Sequence, residues 1–131
     1  MEPFVLKTEK GFSLIEALVA MLILSIVLLG ALQGLIVSYR TSSLTALRNE
    51  GVGIAEEAAN TLRNTPYTDL VDGTTTTTVT RQLANAAVPF TVTQVVADSV
   101  ASVVKSVQIT VSWNHQGRAI THTATILVGN S

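Results

Sequence analysis

The sequence predicts an α+β protein, a long N-terminal helix followed by a small antiparallel β-sheet. Three observations carry that prediction. Apolar residues crowd into the first third of the chain. An amphipathic repeat then runs to Asn64-Thr65-Pro66, and the remainder alternates β-branched with polar residues around turn signals. The 131 residues fit one small domain. Nearly half are apolar (47%) and only 13% are charged, where a soluble domain carries about a quarter. Mean hydropathy is +0.45. A formal net charge of -1 provides no basic surface, so nucleic-acid binding is not predicted. The absence of cysteine excludes disulfides, thiolate metal sites, a cysteine nucleophile and lipidation at a lipobox cysteine.

The first element is a membrane-length segment. From Phe12 to Val37 the only charged residue is Glu16, and the only other polar ones are Ser13, Ser25 and Gln33. The stretch exceeds the roughly 20 residues a helix needs to cross about 30 Å of hydrocarbon. A secretory signal has an apolar core of about 7–15 residues closed by a small-x-small cleavage site. Here the run is longer and no Ala-x-Ala closes it, so it is expected to remain as an anchor. A short polar leader, residues 1–11, precedes it with Lys7 and Lys10 near the membrane. Positive charge on that side favours a cytoplasmic N-terminus and an extracytoplasmic remainder.

Glu16 makes the anchor unusual. A carboxylate near the start of a membrane helix costs energy and ordinarily has a partner. Close to the segment's end it can instead snorkel to the headgroups. Its neighbours favour the first reading. The string Lys10-Gly11-Phe12-Ser13-Leu14-Ile15-Glu16 resembles the processing motif of type IV pilins and pseudopilins. The resemblance implies cleavage by a prepilin peptidase after Gly11 and N-methylation of the new N-terminal residue, Phe12. Glu16 then matches the family's glutamate and would pair with a Phe12 amine, either of a subunit already in the filament or its own. The residues suit those roles. Gly11 has no Cβ to keep a peptidase from the backbone, and a cut before the apolar run spares the anchor. Opposite charges about 4 Å apart attract strongly where the dielectric is low, while an unpaired carboxylate there is penalised. Pairing would therefore act as a register check, with apolar contacts between helices supplying most of the cohesion.

Within the same helix Gly30 and Gly34 form a GxxxG spacing. It is read first as the ordinary glycine content of a membrane helix, with close helix packing as the alternative. Many pilins carry a proline here that helps a stretch of helix melt on assembly. This segment has none, which leaves Gly30, Gly34 and Ser25 as weaker candidates.

The amphipathic half, residues 38–65, repeats Leu44, Leu47, Gly51, Ile54, Ala55, Ala58 and Leu62 at three- and four-residue spacing. Arg40, Arg48, Glu50, Glu57 and Arg63 fall largely on other faces. Gly51 and Gly53 weaken this half locally, and Asn64-Thr65-Pro66 ends it. A helix from Phe12 to Asn64 would be about 80 Å long.

Residues 66–131 form the small β-rich head. Gly73 to Thr80 is a threonine tract rich in β-branched residues, read as a solvent-facing strand or a loop entering one, with glycan attachment as an alternative. Phe90 to Ala97 reads as a strand with Pro89 at its start. Ser106 to Trp113, the turn Asn114-His115-Gln116-Gly117, and Arg118 to Val128 read as a β-hairpin. Val107, Ile109, Val111 and Trp113 share the face assigned to the helix. Three or four antiparallel strands are expected in all.

The combination of Ser-Leu-Ile-Glu-Ala-Leu-Val-Ala with Val-x-Val-x-Trp before the final hairpin resembles PilV-type minor pilins. Minor pseudopilins of the I class in type II secretion share the size and layout. The resemblance implies a structural subunit of the bacterial inner membrane with a periplasmic head, passing into a pilus or pseudopilus. Its partners would be other pilin or pseudopilin subunits, the prepilin peptidase and the inner-membrane assembly machinery. The resemblance further implies a subunit that primes assembly or sits near the filament tip. No cofactor is called for. His115 and His122 are the only histidines, and Asp69, Asp72 and Asp98 the only aspartates. They make no catalytic motif, and two histidines alone make a poor metal site. Asp69 and Asp72 could join a cation-binding loop as in some pseudopilins, but too few ligands are visible. A reading from another class is a non-polymerising single-pass membrane protein whose head binds a ligand or partner.

Overall fold

The computed structural model describes residues 11, 13–101 and 103–130. One long helix, α1 (Leu14–Arg63, 50 residues), is followed by a 3-10 turn (Tyr67–Asp69) and four strands. These are β1 (Gly73–Leu83), β2 (Ala86–Val100), β3 (Val104–His115) and β4 (Arg118–Gly129). The architecture is α+β, a long apolar-to-amphipathic helix with a four-stranded antiparallel sheet. The chain divides into two compact units, one up to Thr41 and one from Ser42 onward.

In the first unit every described residue is exposed. Leucine, isoleucine and valine occupy consecutive positions, as at Leu22, Ile23 and Leu24, so α1 has no polar face here. A helix apolar all round belongs in a membrane or among other helices. The stretch is long and apolar enough to cross a bilayer. It runs unbroken through Ser25, Gly30 and Gly34, so none of them interrupts the helix. The Ser25 hydroxyl donates to the Met21 carbonyl at 2.8 Å, which satisfies it without a partner from another helix.

In the second unit the repeat does what its spacing predicts. Leu47, Gly51, Ile54, Ala55 and Ala59 are the buried residues of α1, with Ala58 and Leu62 partly buried. The helix stops where the sequence stops it. Asn64 and Thr65 close the last turn by donating to the Asn60 and Leu62 carbonyls, both at 3.2 Å, and Pro66 cannot continue it.

The sheet is a meander in the order β1-β2-β3-β4. Alternation decides which side is buried. Val107, Ile109, Val111 and Trp113 of β3 pack with Phe90 and Val92 of β2 and Ile126 of β4 against the helix residues. The β3–β4 hairpin turns on Gln116 (φ 51°) and Gly117 (φ 78°), between the paired residues His115 and Arg118. Two positive φ values in a two-residue loop match the right-handed twist of the flanking strands.

Three features resolve, correct or extend the sequence reading, each for a physical reason. The threonine tract is strand throughout, because every residue from Gly73 to Leu83 pairs with β2. Pro89 lies inside β2 rather than at its start. It is tolerated because β2 pairs with β3 only from Thr91 onward, so at Pro89 the strand is still an edge on that side. Glu50 and Glu57 are not simply solvent-facing. They hold Arg81 of β1, with Arg81 Nη2 donating to Glu57 Oε2 at 2.7 Å and Nε lying 3.2 Å from Glu50 Oε1.

Gly51 is a packing device. A Cβ at this position would lie 2.6 Å from Cζ3 and 2.9 Å from Cη2 of the Trp113 indole. Trp113 in turn stacks obliquely on Phe90, with ring centroids 5.6 Å apart. The missing side chain lets the helix and the largest residue of the sheet share one space. Gly53 meets nothing within 4 Å.

Candidate functional site

The N-terminal end of α1 is the site the sequence singles out. Gly11 is exposed. Phe12, Lys7, Lys10 and the rest of residues 1–10 lie outside the described residues. The helix starts where it does because Ser13 caps it. The Ser13 hydroxyl accepts the Glu16 backbone N–H at 3.2 Å, and the Ser13 carbonyl accepts Ala17 N–H at 3.1 Å. One of the helix's four orphan donors is thereby satisfied. The sequence reading missed this role, although Ser13-x-x-Glu16 has the spacing of a capping box and would have revealed it.

Capping places Glu16 in the first turn of the helix. There its carboxylate lies near the positive end of the helix dipole. The residue is exposed, and among the described residues it has no ion-pair partner. A single copy thus presents an anion at one end of an apolar helix, unneutralised by any described side chain. In hydrocarbon such a group requires a cation.

The head offers a second cluster, around Lys105 of β3. Its ammonium donates to the Leu70 carbonyl and to Asp72 Oδ1, the latter at 3.0 Å, and lies 5.4 Å from the centre of the Tyr67 ring. The hydrogen bond to Asp72 raises the Lys105 pKa above the ordinary lysine value. Burial opposes the rise, and the charge of Asp98 adds to it. The sequence reading weighed Asp72 as a cation ligand. The cation that Asp72 meets is a lysine of the same chain, and the pair clips the segment after the helix onto the sheet. Among the described residues no group of three His, Cys, Asp or Glu is placed to hold a metal. His115 ends β3 at the hairpin turn. His122 of β4 lines an open groove beside Ala55, Glu56, Ala59 and Arg63 of the helix. The structure does not gather these histidines with the aspartates into one site.

The prokaryotic N-terminal methylation motif matches the chain over residues 6–32. No curated protein and no solved structure matches it. The matched span contains Gly11, Phe12, Ser13 and Glu16 together with the apolar run that follows. Apolar helix and motif together support single-pass anchoring in the inner membrane. The motif marks a kind of structural subunit rather than an enzyme. The chain carries the prokaryotic N-terminal methylation motif at the head of a membrane-length helix, as a type IV pilin-like precursor does.

Proposed function

We propose that the protein is a minor pilin or pseudopilin, a structural subunit cut by prepilin peptidase after Gly11, N-methylated at Phe12 and assembled into a filament. The observation that carries this reading is the register of the methylation motif with the helix. The matched residues run straight into an apolar surface that a single copy leaves entirely exposed. Before assembly that surface lies in the inner membrane, with the N-terminus cytoplasmic and the head periplasmic. In the filament it packs against the same helix of other subunits. Glu16 finds its cation in the Phe12 amine of a neighbouring subunit or in its own. Because the carboxylate is penalised until paired, this contact selects the docking register. The small head and terminal hairpin favour a minor pilin of a type IV pilus, with a secretion pseudopilus as the neighbouring assignment.

Glu16→Ala tests the docking role. The variant is expected to insert into the membrane normally and to be lost from sheared filaments when expressed with its cognate assembly machinery. Incorporation at the wild-type level would refute the role given to Glu16. Absence of the wild-type chain from every filament fraction would favour the non-polymerising reading.

A further inference from the structure

The face of the sheet turned away from the helix has an unusual composition. Strand pairing lines its residues into rows that cross all four strands in register. One row is Thr76, Thr93, Thr110 and Thr123. The next is Thr78, Thr91, Ser112 and Thr121. None of the outward positions of the four strands carries a charge, although solvent-facing surfaces ordinarily carry about 25–35% charged residues. The charged residues of the sheet, Arg81, Lys105 and Arg118 among them, alternate with the outward rows.

The rows make a grid. Neighbouring strands lie about 4.8 Å apart, and successive same-face residues along a strand about 6.7 Å apart. Threonine is stiff at χ1, so its hydroxyl and methyl group are held in nearly fixed positions. Hydroxyl contacts of 3.4 Å between Thr76 and Thr93, and between Thr110 and Thr123, hold pairs of them further. Strand twist of roughly 20–25° limits a flat match to neighbouring strands, which is where these pairs lie.

We propose that this face is an ice-binding surface. Its neutrality offers nothing to a charged partner. It lacks aromatic rings on which a sugar could stack, because Phe90 and Trp113 both lie on the helix side. A second copy would require apolar area over the threonine rows. The large apolar side chains outward along the strands, Val95, Val104 and Leu127 with Val100 paired to Val104, lie beyond those rows toward one end of the sheet. What the grid fits is a neutral solid made of hydrogen-bond donors and acceptors repeating on a similar length. Ice is such a solid, with threonine hydroxyls joining its surface water and the methyl groups ordering the water between them.

The test uses the full chain in fluorescently labelled nanodiscs applied to a growing single ice crystal, beside empty labelled nanodiscs. The comparison variant is Thr76→Lys with Thr123→Lys, two exposed edge-strand positions where substitution has little effect on stability. Circular dichroism matching the wild type confirms that it is folded. The expected result is several-fold enrichment of wild type on the ice over empty nanodiscs, abolished in the variant. Equal exclusion of wild type and empty discs overturns the proposal. So does equal adsorption of wild type and folded variant, or retention on insoluble cellulose or chitin without adsorption to ice.

Discussion

Replacing Gly51 by alanine sets two opposed effects at one position. In a helix interior the change gains about 0.8–1.0 kcal/mol of propensity. Against that, the new methyl would lie 2.6 Å from Cζ3 and 2.9 Å from Cη2 of Trp113. The indole cannot simply retreat, since it is 4% exposed and packs on the fully buried Phe90. Inserting a methyl into such a core costs typically about 1–3 kcal/mol. Here the contact is with a rigid ring, so the upper half of that range applies. The net expectation is a loss of about 1–2 kcal/mol, or a drop in Tm on the order of 4–16 °C for a domain of this size. Gly53→Ala is the internal control, because its Cβ meets nothing. It should gain up to about 1 kcal/mol and raise Tm. Trp113 is the only tryptophan, so its fluorescence during thermal unfolding of the full chain reads the contact itself. A Gly51→Ala variant that melts with Gly53→Ala, at or above the wild type, would refute the packing argument.

Other substitutions give separate readouts. Phe90→Ala empties the centre of the head and should cost about 3–5 kcal/mol, read as a lower midpoint in urea unfolding followed by near-ultraviolet circular dichroism. Lys105→Met removes the clip to Leu70 and Asp72 and should speed amide exchange in the segment around Leu70 without unfolding the sheet. The clip is also pH-dependent. Since folding raises the Lys105 pKa, its contribution is complete below the ordinary lysine value and is lost as pH climbs through the raised one. The protection factor around Leu70, which removes the intrinsic base-catalysed rise in exchange, should therefore fall only in the alkaline range in the wild type and be low and pH-independent in Lys105→Met. Gln116→Asn places a residue more tolerant of positive φ in the hairpin turn and should raise stability by a few tenths of a kcal/mol in urea unfolding.

How legible the molecule is in its sequence differs from part to part. The apolar run is too long to be a strand and the stripe from Leu47 to Leu62 repeats over about four turns, so the helix and its buried side could be read directly. The alternation of Val107, Ile109, Val111 and Trp113 likewise fixed the face of β3. The threonine tract was ambiguous because it has no alternation. Identical residues point to both sides, and only pairing with β2 shows it to be strand. Gly51 was read as a local weakness, since nothing in one dimension reveals that Trp113 lies over it. The ion pairs of Arg81 with Glu50 and Glu57 were hidden for the same reason. At the N-terminal site Gly11, Phe12 and Glu16 were named from their resemblance to a processing motif, whereas the capping role of Ser13 went unread beside them.

The central claim is that the anchor belongs to a processed subunit, and the N-terminus of the mature chain tests it most directly. The full-length protein coexpressed with a prepilin peptidase should yield, by intact-mass and N-terminal peptide spectrometry, a chain that begins at Phe12 and carries one added methyl group. Finding residues 1–11 still attached in the presence of an active peptidase would contradict the account.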